Sequence, residues 1–486
     1  MRKQGKIVRY SLGLAMAAIV ILTILGLGSV APTRAQVTAP SWSYTGSLNT
    51  ARAFHTTTVL SDGNVLVVGG SYRSKDLHIL DSAELYDPVN GKWSVTGSLN
   101  VPRDYHTATL LRNGKVLVVG GVDGRSFGSS LNSVELYDPQ TGKWSVTGSL
   151  NAPRAGHTAT LLENGKVLVA GGDELQGSHD PIPLDTAELY DPATGMWGFT
   201  GRLNGPRDYH TATLLQNGKV LVLGGEFSSI PADLYDPETG MWSSVFSGDF
   251  RFARTATLLA DGRVLVTGGT NDFVDLMSTA DLMSTAELYD PKTGTFSSTG
   301  HLNISHINPT ATLLPDGKVL IAGGYRLSRI SAYVVVEEMS RSSELYDADT
   351  GMWSITSNLN TPRSYHTATI LPDGKALIVG GLSDGCCPPY TNYLDSVELG
   401  YSFVAVTSPR ITMALVAGKK LIVIGKDFND GAVILVNGAE QTTKNDGQNP
   451  QTTLIAKKAG KRVKPSDKLQ VRNPNGSLSQ ELIFGG

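Results

Sequence analysis

The sequence predicts an all-β protein: a β-propeller of seven four-strand units, closed by a strand from its N-terminal side, followed by a small β-sandwich. Three observations carry this expectation. A unit of about fifty residues recurs seven times along the 486-residue chain. Each copy holds short apolar runs separated by turns rich in glycine and proline. No segment shows a convincing helical period of apolar residues.

The first residues read as an address. Residues 1–10 carry Arg2, Lys3, Lys6 and Arg9 and no acid, residues 12–30 are an apolar run, and Ala31-Pro32-Thr33-Arg34-Ala35 supplies small residues for a cut after Ala35. The flanks favour a cleaved export signal; the length of the run also suits a retained anchor. Three regions are expected: 1–35 as signal peptide or signal anchor, 36–403 as propeller and 404–486 as sandwich.

One repeat shows how the unit is built. Trp93 opens it; Pro102-Arg103-Asp104-Tyr105-His106 leads into Thr-Ala-Thr-Leu-Leu, strand a. Asn113-Gly114 reads as a two-residue hairpin turn requiring positive φ. Val116-Leu-Val-Val119 is strand b, apolar throughout and therefore buried on both faces. Gly120-Gly121 ends it, a variable stretch follows, and Glu135-Leu-Tyr137 is strand c. Asp138-Pro139 and Thr141-Gly142 turn the chain into strand d, which carries the next anchor, Trp144.

The double glycine after a β-run, then a tyrosine, then a tryptophan at fixed spacing resemble the kelch repeat. The anchors are Trp42, Trp93, Trp144, Trp197, Trp242, Phe296 and Trp353, and a glycine pair follows each of them. The resemblance covers about residues 42–400 and implies one four-stranded blade per repeat, hence a seven-bladed kelch propeller. The seventh repeat lacks the Asp-Pro turn and the following tryptophan, whereas the first begins with a spare Trp42 segment. The outer strand of the last blade is therefore expected from about residues 41–46.

Spacing separates constant from variable parts. The first paired glycine lies 27 residues after the anchor in six repeats and 26 in the fifth, and the strand c acid lies 9 residues before the next anchor in every case. Only the b–c connection varies, from 9 to 21 residues between first glycine and acid. In an up-and-down blade the b–c and d–a connections share one face, so this face is the expected binding surface. Loop drift is the alternative, and the tandem Asp275-Leu-Met-Ser-Thr-Ala280 and Asp281-Leu-Met-Ser-Thr-Ala286 looks like duplication rather than a shaped site.

The d–a connections repeat Arg52, Arg103, Arg154, Arg207 and Arg363, each three residues before His55, His106, His157, His210 and His366. The fifth repeat departs with Arg251 and Arg254, the sixth with His306 and Pro309. One reading is a ring of cations and imidazoles able to hold an anion or metal. The other, favoured by identical residues in repeat after repeat, is a structural tie to backbone or to the strand c acid. The b–c connections add aromatics as candidates for sugar stacking or loop anchoring: Tyr72, Phe127, Tyr325, Tyr390 and Tyr393, with Phe227, Phe273 and Tyr333 beside them. Cys386-Cys387, the only thiols, would form a vicinal disulfide, stay free or bridge to another molecule.

Seven-bladed kelch-like propellers include secreted proteins that resemble galactose oxidase. That resemblance implies a thioether-linked Cys–Tyr pair and two His, one from near or beyond the propeller's end. No His follows His366, which argues against copper radical chemistry. A likeness to kelch sugar mutarotases leaves a carbohydrate-active enzyme at the channel mouth as the alternative to a binding protein. No HExxH, P-loop or CxxC pattern occurs. The expectation is an exported, non-enzymatic protein without cofactor that binds a glycan or an extracellular protein, and no nucleic acid.

From about residue 403 the repeat stops. Gly425-Lys-Asp-Phe428, Val436-Asn437-Gly438 and Val471-Arg-Asn473-Pro474-Asn-Gly476 resemble the IPT/TIG family of immunoglobulin-like sandwiches, which implies an accessory module. The formal net charge of −3 conceals a division: about −14 over 36–403 and +6 over 404–486. The basic tail suits docking on its own propeller or on an anionic cell surface, or simply a solvated face.

Overall fold

The computed structural model describes residues 41–485 apart from 75, 125–127, 177–179, 226–231, 246–251, 271–283, 332–333, 384–391, 401–408, 427, 429–430, 446–451 and 474–478. The N-terminal segment, Phe127, Tyr390, Cys386, Cys387, Phe227, Phe273 and Tyr333 therefore lie outside the described residues. The described chain is all-β, without an α-helix.

Seven four-stranded antiparallel sheets cover the repeat region. In the first, strands a to d are Thr56–Val59, Val65–Val68, Ala83–Asp87 and Lys92–Val95. Strand b is fully buried, as its unbroken apolar run requires, while strand d exposes Val95. The seventh sheet holds Thr367–Ile370, Ala376–Val379 and Val397–Gly400, and its fourth strand is Ser43–Tyr44, with Ser43 opposite Leu399. Trp42 is buried against Gly400, where a Cβ would stand 2.3 Å from the indole. Strand a of each sheet neighbours strand a of the next, and Thr367–Ile370 neighbours Thr56–Val59.

The cores lie between sheets. Leu60, Leu66 and Val68 of the first sheet pack with Val116, Val118 and Tyr137 of the second, and the same combination recurs around the molecule. The anchors add a directional link. Trp93 donates from Nε1 to Gly46 O at 2.8 Å, Trp144 to Gly97 O at 2.7 Å, and Trp42 to Ser357 O at 3.0 Å. Each tryptophan anchor thus ties its sheet to the segment leaving the preceding outer strand, and from Trp93 to Trp353 the ring rests on the strand c tyrosine (Tyr86–Trp93 centroids 5.0 Å apart).

Two local expectations need correction. The a–b turn is not a two-residue hairpin. Leu111 N–H donates to Lys115 O, Gly114 N–H donates to Leu111 O, and Lys115 N–H donates to the Asn113 side chain. Only the glycine takes positive φ, 82°. The asparagine or aspartate closes the turn through its side chain, which makes the longer three-residue loop the stable one. Several variable b–c connections, read as loops, contain hairpins of their own: Ser71–Arg73 with Leu77–Ile79, Asp173–Glu174 with Ile182–Pro183, and Tyr325–Ser331 with Val334–Met339.

The tail comprises two four-stranded sheets. One contains Arg410–Ala417, Lys420–Lys426, Thr453–Ala456 and Thr443–Asn445; the other contains Ala439–Glu440, Val433–Val436, Lys468–Arg472 and Leu482–Ile483. They share a core of Leu421, Val423, Phe428, Ile434, Leu454, Leu469 and Val471.

Candidate functional site: the face of the d–a and b–c connections

The repeated arginines form the floor. Arg103 Nη2 donates to Glu135 Oε1 at 2.9 Å, and its Nη1 donates to Gly120 O at 2.8 Å and Ser133 O at 3.0 Å. The other carboxylate oxygen of Glu135 accepts from the backbone and side chain of Asn100 at 2.8 and 2.7 Å. The same pair recurs as Arg52–Glu84 (2.7 Å), Arg154–Glu188 (2.9 Å), Arg207–Asp233 (2.9 Å) and Arg363–Glu398 (2.7 Å), with every guanidinium fully buried. Burial of such a pair is tolerable because most of the remaining donors and acceptors are also engaged. In the sixth sheet His306 replaces the arginine, with Nδ1 2.8 Å from Gly323 O and Nε2 3.5 Å from Glu344.

The histidines tie neighbouring sheets. His106 Nε2 shares a hydrogen bond with Thr56 Oγ1 at 2.9 Å, and His157, His210, His366 and His55 do the same with Thr107, Thr158, Thr310 and Thr367. Each threonine opens strand a of the preceding sheet. The imidazole edge lies so close to the paired glycine that a Cβ on Gly69 would come within 2.8 Å of His106 Cε1. Burial first, and the adjacent arginine second, push His106, His210 and His366 down to about 3, and move His55 and His157 in the same direction. They are neutral at physiological pH.

The ten Arg and His side chains expected as a cationic ligand face are therefore closed to direct contact. Tyr325 is buried, and Ile307 and Tyr325 form an isolated β-bridge. Tyr72 stacks on His78 across its hairpin at 4.8 Å. Tyr393 is half-buried and bonded to Ser71, and burial raises its phenol.

Between the arginine and histidine of five sheets, and between His306 and Pro309 of the sixth, lie two residues that change from sheet to sheet, and these form the mouth. They are Ala53-Phe54, Asp104-Tyr105, Ala155-Gly156, Asp208-Tyr209, Ile307-Asn308 and Ser364-Tyr365. The second of each pair is left-handed, with φ of 57°, 51°, 59°, 46°, 49° and 53°. For non-glycine residues this conformation costs about 1–2 kcal/mol each, so the surrounding structure imposes it. Their backbones connect laterally: Phe54 N–H donates to Tyr365 O, Tyr105 to Phe54, Gly156 to Tyr105, and Tyr209 to Gly156, at 3.4, 3.4, 3.2 and 2.8 Å.

The side chains follow as an aromatic arc. Ring centroids are 6.3 Å apart for Tyr325–Tyr365, 4.7 Å for Tyr365–Phe54, 4.6 Å for Phe54–Tyr105 and 5.7 Å for Tyr105–Tyr209. Tyr209 reaches Tyr105 over Gly156, where a Cβ would stand 3.2 Å from its ring. Tyr209 remains 43% exposed, which makes it the open end of the arc.

Acids sit beneath the rings. Asp104 is 4% exposed and bonds to the Ser71 hydroxyl and its own amide; burial pushes its carboxyl up to about 7. Asp208 and Asp173 are buried on the same face. Burial, with Tyr209 and Asp104 adding to it, raises the Tyr105 phenol well above its usual value. Among the described residues no group of three or more His, Cys, Asp or Glu is placed to share a metal ion. On the opposite face a cleft of about 440 Å³ lies between turns of the fourth and fifth sheets, lined by Gln216, Asn217, Asp261 and Arg263, turn residues of the type every repeat carries.

Phe54, Tyr105, Tyr209, Tyr365 and Asp104 were not singled out from the sequence. The available signal was a non-constant pair inside a constant Arg-x-x-His frame.

Comparison with known proteins supports the repeat assignment. The model of the KLHDC2/KLHL20/DRC7 Kelch-repeats domain matches residues 32–225. Alpha-scruin of Limulus polyphemus is 28% identical over 200 residues, which is 40% of this chain and 21% of that protein. F-box/kelch-repeat protein At1g67480 of Arabidopsis thaliana is 41% identical over 143 residues, 29% of this chain and 35% of that one. Kelch-like protein 36 of Mus musculus is 23% identical over 304 residues, covering 61% and 47% of the two chains. The chain thus spans less than half the length of these curated relatives. Among solved structures, a fungal alcohol oxidase of the AA5 family in complex with copper superposes over 91% of this chain and 98% of its own, with a TM-score of 0.58 and 17% identity, a likeness of fold alone. With its repeated strand-and-turn unit and these matches, the chain is a kelch-repeat protein.

Proposed function

We propose that this is an exported interaction protein that binds an extracellular partner protein, or a glycan carried by one, through the face of the d–a and b–c connections. The supporting observation is the mouth itself. Five of the seven sheets share one constant Arg-x-x-His framework, yet the residues inside that frame differ and meet as a single aromatic and acidic surface. Similarity to kelch proteins adds weight to a protein-interaction role. In this reading the seven sheets are the blades of one propeller, closed by the strand around Trp42, and the tail is an immunoglobulin-like accessory module of the IPT/TIG type. The basic, apolar N-terminal segment delivers the chain out of the cell.

The test uses the immobilised full chain beside a Tyr105→Ala/Tyr209→Ala variant, each exposed to extracellular and surface proteins and to a glycan array. A ligand retained by the unaltered chain and lost by the variant supports the reading. Ligands retained equally by both overturn it. Cell fractionation with N-terminal sequencing tests export separately: an extracellular chain beginning at Gln36 is the expected result.

A further inference from the structure

Within the mouth, and resting on its reading as an interaction surface, the chemistry of the ligand follows from what is absent as well as what is present. The five guanidiniums that would have made this face positive are buried against strand c carboxylates. What remains beside the channel is the arc Tyr325–Tyr365–Phe54–Tyr105–Tyr209 and the carboxyls of the adjoining Asp104 and Asp208. Aromatic faces attract cations through their quadrupole, more strongly where water is partly excluded. Carboxylates set beside them add charge and direction.

Asp104 sharpens this. Glu84, Glu135, Glu188, Asp233 and Glu398 are equally buried, and each faces an arginine. Asp104 bonds instead to a hydroxyl, that of Ser71, and to its own backbone amide. Its neighbours are Tyr105 on its own loop and Tyr393 from the seventh b–c connection; Arg73, from the first, acts on Tyr393. The carboxyl therefore sits where an incoming cation would serve as its counter-charge.

We propose that the channel mouth binds a lysine or arginine side chain presented by a basic segment of a partner protein, held between the aromatic arc and the Asp104 carboxylate. Charge complementarity extends beyond the contact, because residues 36–403 carry a surplus of acids. A divalent metal is a poor alternative, since no three ligating side chains converge among the described residues.

The test is selection of a random peptide library on the full chain, with counter-selection on Tyr105→Ala/Tyr209→Ala. Synthetic copies of the selected peptides are then titrated against the unaltered chain, Asp104→Asn and the single variant Tyr209→Ala. The expected winners carry Lys or Arg. Replacing that residue by Gln weakens binding about tenfold or more, as does Asp104→Asn. Affinity falls with added salt and rises between about pH 6 and pH 8 as Asp104 ionises. Selected peptides that need the mouth but lack a basic residue, or tolerate Lys→Gln, overturn the cationic ligand and leave the interaction face standing. A mouth-dependent neutral glycan does the same. No mouth-dependent binder at all overturns both. Tyr209→Ala guards against misfolding, because its exposed ring can be removed without disturbing the buried layer.

Discussion

Arg103 and Asp104 are adjacent in one loop, yet they belong to two different regions of the molecule. Arg103 lies in the buried layer, where the same side chain meets the strand c acid in five of the seven sheets. Asp104 lies in the mouth, where the equivalent residues are Ala53, Ala155, Asp208, Ile307 and Ser364. The buried layer obeys the repeat because each sheet faces the same packing problem. The mouth departs from it because its side chains meet one another across the sheets, and the binding surface proposed for it has no sevenfold symmetry to match. In a repeat protein, the break in symmetry is therefore a better guide to recognition than chemical reactivity. Buried charges that look functional belong to the scaffold here.

The largest expected effect tests the scaffold side. Deleting residues 41–47 removes the fourth strand of the seventh sheet together with buried Trp42, so stability should fall by more than about 4 kcal/mol. A truncated chain with an unchanged melting transition would show that this strand is dispensable. Next, Arg154→Met strands Glu188 in a buried site and should cost about 3–5 kcal/mol in denaturant unfolding, with ligand affinity unchanged in the molecules that remain folded. An affinity change larger than the stability change would merge the two regions.

Acid should separate them by sign. The five histidines are neutral when folded, with three held at about 3 against an ordinary 6.5. Their contribution is complete above pH 6.5 and lost as pH falls toward 3, at about 1.4 kcal/mol per pH unit for each. Asp104 works oppositely. Its folded value of about 7 lies above the ordinary 3.8, so stability is gained as pH drops between them. Asp104→Asn should therefore steepen the acid loss between about pH 7 and pH 4; identical slopes for the two chains would refute this assignment. The smallest effect is Gly156→Ala. It places a Cβ at φ 59° and 3.2 Å from Tyr209, costing about 1 kcal/mol and displacing the open end of the arc. Full ligand affinity in this variant would remove Tyr209 from the site.

Much of the scaffold was legible in the residue order. The paired glycines, the apolar b strands and the Asp-Pro turns act over a few residues, so their chemistry can be read locally. The spare Trp42 segment and the incomplete seventh repeat pointed to each other for the same reason: one outer strand was missing and one was left over. The hairpins inside the b–c connections were less visible, because Tyr325–Ser331 and Val334–Met339 lack the glycine markers of the repeat.

The candidate site was legible only in part. By itself the sequence determined the four strands of each repeat, their order, the constant Arg-x-x-His frame and the face on which variation falls, because each depends on local spacing that repeats. The tertiary structure alone decided which side chains meet. Tyr365 packs on Phe54 from the far end of the repeat region, Tyr209 crosses Gly156 to reach Tyr105, and the arginines turn inward to buried acids. The direction of a side chain and its neighbour in the next sheet are set by how the sheets pack against one another, and that packing leaves no periodic mark in the sequence.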